Sequence, residues 1–235
     1  MKYKKILPGV FHSRPNRFIA HIEIDGQVQV CHVKNTGRCK ELLLPGATVY
    51  VEESDNPKRK TKFDLIAVKK GERIINMDSQ APNMAVGEWL RIGNNTIVPS
   101  GVKATIRPEY TYEASRFDFY VEYERESGEL EKIFVEVKGV TLEQDGVVSF
   151  PDAPSERAIK HVKELIKAKE QGYQCYVLFI IQMKGVKYFC PSQIHPEFCE
   201  VLRKAHNAGV GILAYDCKVT PDSMELEDEV EVRFV

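Results

Sequence analysis

The sequence has no apolar run long enough to cross a bilayer as a helix. Its longest, Cys175–Ile181, falls far short of the roughly 18 residues that a span requires. No apolar leader segment follows Lys2, Lys4 and Lys5 either, because Pro8 and Arg14 arrive at once, so the chain reads as cytoplasmic. The six cysteines (Cys31, Cys39, Cys175, Cys190, Cys199 and Cys217) form no C-x-x-C pair and have no histidine at zinc-ligand spacing. That argues against a zinc ribbon or a disulfide framework and for small, reduced, buried side chains. His12, His21, His32, His195 and His206 stand alone and read as structural or surface residues. Internal repeats and low-complexity stretches are absent, which sets solenoids aside.

Charge of one sign is lacking as well: 33 Lys and Arg against 34 Asp and Glu give a net charge of −1. Bulk electrostatics therefore does not announce a partner. The distribution is uneven, however. Residues 1–70 hold fourteen Lys and Arg against seven Asp and Glu, while residues 216–235 hold seven acids against two bases. A basic front half can grip a phosphate backbone while an acidic tail balances the total; the plain alternative is an ordinary solvated surface, and charge alone favours that.

With 43% hydrophobic and 29% charged residues, the 235-residue chain is an ordinary globular composition, long enough for one large domain or two modest ones. Phe18, Ala20, Ile22 and Ile24 alternate with polar residues, and Asp25-Gly26 turns the chain into Gln27–Val33, a strong hairpin signal. Further strands are expected at Ala47–Glu53, Lys62–Lys69 and Arg73–Met77, between Pro45-Gly46, Asn56-Pro57 and Lys70-Gly71. Five short strands in residues 1–80 suggest an OB-like barrel, although an SH3-like barrel gives the same pattern. Residues 81–235 read differently: a helix at Ala81–Leu90, strands at Ala104–Tyr112, Arg116–Tyr123 and Lys132–Val140, a helix from Glu156 to Gln171 and a strand at Tyr173–Gln182. Val186–Cys190, a helix at Pro196–Asn207 and Val210–Tyr215 complete a mixed α/β domain.

The segment Ser115–Gly139 carries the chemistry. Phe117, Phe119 and Val121 alternate with Arg116, Asp118, Tyr120 and Glu122; on the next strand Ile133, Val135 and Val137 alternate with Phe134, Glu136 and Lys138. A turn at Ser127-Gly128 sets Asp118 opposite Glu136 and Arg116 opposite Lys138, with cross-strand Cβ atoms about 5 Å apart. Two carboxylates so close repel unless a cation lies between them, and Mg²⁺ or Mn²⁺ with oxygen ligands meets that need. Lys138, on the same face, can hold or deprotonate a water, so the hairpin supplies the parts for phosphodiester hydrolysis. A bare E-x-K is a weak signal; an acid, a turn and E-x-K in matching parity is stronger. The plain alternative is a surface hairpin with Asp118 and Arg116 paired across to Lys138 and Glu136, respectively, as ion pairs. Pro151-Asp152 follows the E-x-K and Asp216-Cys217-Lys218 lacks a preceding acid strand, so both are decoys.

Ser155 is the expected N-cap of the following helix, with Ile159, Val162 and Ile166 as its buried stripe and Gly172 its stop. Arg157, Lys160 and His161 fall in its first two turns, where they can neutralise phosphates entering the site. In the barrel the candidate phosphate contacts are Arg14, Arg17, Arg38, Lys58, Arg59 and Lys60.

Several separated motifs then resemble one family along nearly the whole chain: Asn35-Thr36-Gly37-Arg38, Asn56–Lys60, Ala81-Pro82-Asn83 with Glu88-Trp89, Ser115–Asp118, Glu136-Val137-Lys138, and Phe150–Pro154 with Arg157, Lys160 and His161. The chain is similar to the sugar fermentation stimulation protein (SfsA) family. The resemblance implies an N-terminal OB fold over residues 1–80, a C-terminal PD-(D/E)xK nuclease-like domain over 81–235, non-specific DNA binding and a role in maltose metabolism. It further implies that Asp118 and Glu136 are metal ligands, that Lys138 positions water, and that Glu88 or Glu109 adds an outer acid.

Three functions follow. The first is a Mg²⁺- or Mn²⁺-dependent nuclease acting on DNA or RNA. The second is a DNA-binding regulator whose nuclease-like fold is catalytically inactive and serves for docking alone. The third is an OB module that binds oligosaccharide.

Overall fold

Alternating aliphatic and polar residues build five strands that close on themselves. β1 (Ile6–Asn16) pairs with β2 (Ile19–Ile24) and β4 (Thr48–Glu53), β2 with β3 (Gln27–Val33), β3 with β5 (Phe63–Lys70), and β5 with β4. Closure leaves the OB barrel without an open edge inside the circuit. The computed structural model describes residues 1–35, 37 and 39–234. Inward residues such as Phe11, Ile22, Cys31, Val49, Val51 and Leu65 are buried and fill the barrel.

The expected strand at residues 73–77 is β6 (Arg73–Asn76), which hangs on β5 outside the circuit. The strand that closes the barrel is β1, unforeseen because Pro8, Gly9 and Pro15 interrupt any strand pattern. Gly9 is needed there: a Cβ would lie 2.6 Å from Ile22 Cγ2 and 2.8 Å from the Glu23 carbonyl.

The rest of the chain is a mixed α/β domain. Its helices are α1 (Ala81–Ile92), α2 (Glu156–Glu170) and α3 (Pro196–Asn207). Its main sheet contains β7 (Thr105–Tyr112), β8 (Ser115–Glu124), β9 (Leu130–Val140), β12 (Gln174–Ile181), β14 (Gly211–Thr220) and β15 (Ser223–Val230), in the order β15-β14-β12-β9-β8-β7. β9, β12 and β14 run parallel, with antiparallel neighbours outside them. A small sheet adds β10 (Leu142–Gln144), β11 (Val147–Phe150) and β13 (Tyr188–Pro191).

The central strands are buried on both faces, as parallel strands between helix layers must be. Ile133, Val135, Val137, Leu178 and Ile180 pack with Ala81, Ala85, Val86 and Leu90 of α1. On the other face Phe134, Cys175, Val177 and Phe179 pack with Ile159, Val162 and Leu165 of α2 and Phe198 and Leu202 of α3. No helix among the described residues is long and apolar enough to cross a membrane.

The expected acidic tail is largely β15, an edge strand. Met224 and Val230 are buried while Glu225, Glu227, Asp228 and Glu229 face outward, where charge discourages edge pairing with other chains. The barrel and the α/β domain are joined by polar contacts. The Asn76 N–H donates to the Gln182 carbonyl at 2.9 Å, and the Gln182 amide donates to Asn76 Oδ1 at 3.0 Å. Lys70 and Arg73 from the barrel side both reach Glu143, at 2.8 and 3.3 Å.

Candidate metal centre and nucleic-acid surface

The β8–β9 ladder has the expected register, running from Glu124↔Leu130 to Phe119↔Val135. It stops there because the Asp118 side chain takes the next donor: Asp118 Oδ2 accepts the Val137 N–H at 2.7 Å. One expectation is corrected here. Phe117 does not share a face with Phe119 and Val121; its ring packs 4.9 Å from Phe134 on the α2 side. The cause is an irregularity at Asp118, where the β7–β8 ladder skips Glu109, whose φ is +51°.

Asp118, Glu136 and Lys138 are brought together at the end of β9. Lys138 Nζ donates to Glu136 Oε1 at 2.5 Å, and His161 Nδ1 lies 2.5 Å from the same oxygen. Asn83 Nδ2, from the first turn of α1, donates to Asp118 Oδ1 at 2.7 Å. Glu136 Oε2 is buried and has no hydrogen-bond partner among the described residues. Gly139 permits this convergence: a Cβ on it would lie 2.6 Å from Gln182 Oε1 and 2.9 Å from Pro82 Cγ, pushing α1 off the strand.

The two carboxylates shift in opposite directions. Burial and the nearby charge of Glu136 raise Asp118 above the ordinary carboxylate range, against the opposing Val137, Lys138 and Asn83 contacts. Burial pushes Glu136 upward too, but the His161 hydrogen bond and the Lys138 ammonium outweigh it and hold Glu136 below its usual value. Among the described residues Arg116 makes no ion pair with Glu136, as the surface-hairpin alternative required; it lies 3.6 Å from Glu109.

Glu88 and Glu109 border the same cavity of about 370 Å³ as Asp118. Glu88 binds the Met1 ammonium at 2.6 Å, and Glu109 faces Arg116. Among the described residues, the group of three acids close enough to share an ion is Asp216, Glu227 and Asp228, and Lys184 Nζ already contacts all three.

The candidate phosphate contacts divide sharply. Arg14 donates to the carbonyls of Gly37, Arg17 and Asn35 at 2.6–2.8 Å, pinning a loop of the barrel. Arg59 clasps the buried Asp64 at 2.8 and 2.5 Å. His161 is buried against Glu136, a correction to its reading as a phosphate contact: the second turn of α2 faces the sheet at that position. Lys160 is exposed and donates to the Ala114 carbonyl at 2.9 Å. Arg17, Lys58, Lys60 and Arg157 are exposed and carry no ion pair among the described residues, while Arg38 lies outside the described residues. Arg17 also borders a cleft of about 680 Å³, together with Lys40 and Phe11 of the barrel and Ala153 ahead of α2.

Sequence reasoning gave no role to Asn83, which lay within a quoted motif, and missed the side of α2 on which His161 falls. The Asn83 contact spans 35 residues, which no local pattern reveals.

Comparison with known proteins decides the relationship. Residues 13–77 match the SfsA N-terminal OB domain, and residues 80–223 match the sugar fermentation stimulation protein RE domain. The chain belongs to the sugar fermentation stimulation protein family. A sugar fermentation stimulation protein homolog of Ruminiclostridium cellulolyticum is 56% identical over 235 residues, covering 100% of both chains. Homologs from Clostridium beijerinckii (56% identical, 99% of both chains) and Desulfitobacterium hafniense (55%, 100% of this chain and 99% of that one) are similar along their length. The solved structure of Pyrococcus furiosus SfsA in complex with Ca²⁺ superposes with a TM-score of 0.83 at 26% identity, covering 99% of this chain and 98% of that one.

Proposed function

We propose that the protein binds nucleic acid in the cytoplasm and cleaves its phosphodiester backbone at a divalent-metal centre held by Asp118 and Glu136. One observation carries the reading: among the described residues no donor reaches the buried Glu136 Oε2, whose carboxylate lies within electrostatic reach of Asp118 and holds the Lys138 ammonium. A carboxylate oxygen left without a partner in a buried place is costly, and a cation is the group it suits. The donor set of two acids with one lysine fits Mg²⁺ or Mn²⁺, which bind a few carboxylates and retain waters. The Ca²⁺ held by the Pyrococcus furiosus relative supports a divalent ion of this kind, and the RE-domain match supports a nuclease-like fold of the PD-(D/E)xK type.

When bound, such an ion lowers the pKa of a water and offsets charge on a phosphate oxygen. The chain's own residues supply the rest. Asp118 and Glu136 present oxygens from adjacent strands, and the Val137 N–H fixes one of them. Lys138 Nζ, on the face of Glu136, can hold a water by donating a hydrogen bond to its oxygen. Arg17, Lys58, Lys60 and Arg157 remain available to phosphates.

One observation favours the second reading, a DNA-binding regulator of sugar (maltose) metabolism with a catalytically inactive fold. The outer acids Glu88 and Glu109 are each engaged elsewhere, which leaves two carboxylates for the ion. A single assay separates the two. Labelled single- and double-stranded DNA and RNA are incubated with Mg²⁺ or Mn²⁺ and with an EDTA control, alongside Asp118→Ala and Lys138→Ala. Expected is metal-dependent cleavage that both variants lose while still binding. Binding without cleavage under any metal would leave only the regulator.

A further inference from the structure

We infer that Asn83 and His161 are the positioning residues of the acid pair, one for each carboxylate, delivered by helices from opposite faces of the sheet. The inference rests on the metal-dependent reading above and deepens it by naming what orients the two ligands.

The geometry is specific. Asp118 is held on both oxygens, by Asn83 Nδ2 at 2.7 Å and by the Val137 N–H at 2.7 Å, so its carboxylate cannot turn without losing a hydrogen bond. Glu136 is held on Oε1 alone, by His161 Nδ1 and Lys138 Nζ, both at 2.5 Å. Two donors on one oxygen orient the carboxylate and leave Oε2, the buried atom without a partner among the described residues, as the free ligand position.

Neither helical residue is there by accident of surface. His161 is 8% exposed and lies among the buried Ala158, Val162 and Leu165, which fix the helix face that meets β9. Asn83 follows Pro82 at the start of α1, where the close approach of Pro82 to Gly139 ties the helix to the end of β9. α1 belongs to the apolar layer of Val135 and Val137, and α2 to that of Phe134. The acid pair is thus held from two apolar layers, one on each face of the sheet. Groups that hydrogen-bond a ligand fix its orientation before the ion arrives, and losing one such group typically lowers metal affinity by about 10–100-fold.

The test is calorimetric titration of the full-length protein with Ca²⁺ and with Mn²⁺, with thermal melting of each variant. Wild type is expected to bind an ion, and Asp118→Ala to abolish binding. His161→Leu and Asn83→Ala should each weaken binding by about 10–100-fold. His161→Asn, whose amide nitrogen stands where Nδ1 did, should recover most of the affinity, whereas His161→Gln, which reaches toward the place of Nε2, should not. If His161→Leu does not fold, the comparison of His161→Asn with His161→Gln decides alone. Wild type that binds neither ion removes the metal reading and this inference with it. Wild type that binds while Asn83→Ala and the His161 variants bind equally well overturns only the positioning roles. A His161→Asn variant as weak as His161→Gln assigns His161 to packing and overturns its part.

Discussion

Asp118 is buried beside Glu136, and these two facts raise its carboxyl above the ordinary range despite three opposing contacts. In the unfolded chain the same group loses its proton at the usual Asp value, near 3.9. Between that pH and the raised folded value the folded state binds more protons than the unfolded one. Stability from this group therefore falls as pH rises through the window and stays reduced at neutral pH. Asp118→Asn removes the penalty while keeping shape: its oxygen can accept the Val137 N–H, and Asn83 can turn its amide to accept the new N–H₂. Without metal the variant should melt higher than wild type, by roughly 2–4 °C for each kcal/mol relieved in a chain of this size. Mn²⁺ should raise the melting temperature of wild type and leave Asp118→Asn unmoved. Scanning calorimetry with and without EDTA measures both, and a metal-free variant that melts lower would place Asp118 among acids that stabilise the fold.

At the scale of elements, the barrel shows the opposite sign. Asp64 on β5 is buried, which alone would raise it, but Arg59 from the β4–β5 loop, Lys34 after β3 and His32 on β3 hold it below its usual value. Its contribution is present above the ordinary Asp value and is lost as pH falls through the lowered one. Asp64→Asn should therefore destabilise at pH 7 and flatten the acid limb of the stability curve, measured by urea melts between pH 3 and 7. β9 offers a steric counterpart. Gly139→Ala places a methyl against Gln182 and Pro82 and should cost about 1–3 kcal/mol by overpacking. These elements also show what a sequence can disclose. β3 and α3 were legible to the residue because Asp25-Gly26 and Pro196 mark their starts. β1 was not, since its prolines and Gly9 suit only a strand whose neighbours are known, and β15 looked like a tail because its charges outnumber its two buried anchors. The register of the β8–β9 hairpin could be read from parity. The break in it at Asp118 could not, because that break is made by α1 and by a positive φ on β7.

For the whole molecule, the proposed function asks which cations would meet a nucleic acid. Sequence alone treats Arg14, Arg17, Lys58, Arg59, Lys60 and Arg157 alike, yet folding assigns Arg14 to backbone carbonyls and Arg59 to Asp64. A cation already bound inside the fold releases no counterion when a phosphate arrives, whereas an exposed one does. The logarithm of affinity should therefore fall with the logarithm of salt concentration, with a slope set by the exposed group. Each true phosphate contact removed should flatten that slope by about 0.9 on duplex DNA and about 0.7 on a single strand. Arg17→Ala and Arg157→Ala are expected to flatten it in fluorescence anisotropy titrations between low and high salt, with unchanged melting temperature. Arg59→Ala is expected to lower the melting temperature and leave the slope alone, because its loss uncovers Asp64 rather than a phosphate site. If the Arg59 variant changes the slope while the Arg17 and Arg157 variants do not, the nucleic acid lies on a different surface, and the cleft between the barrel and α2 is not its path.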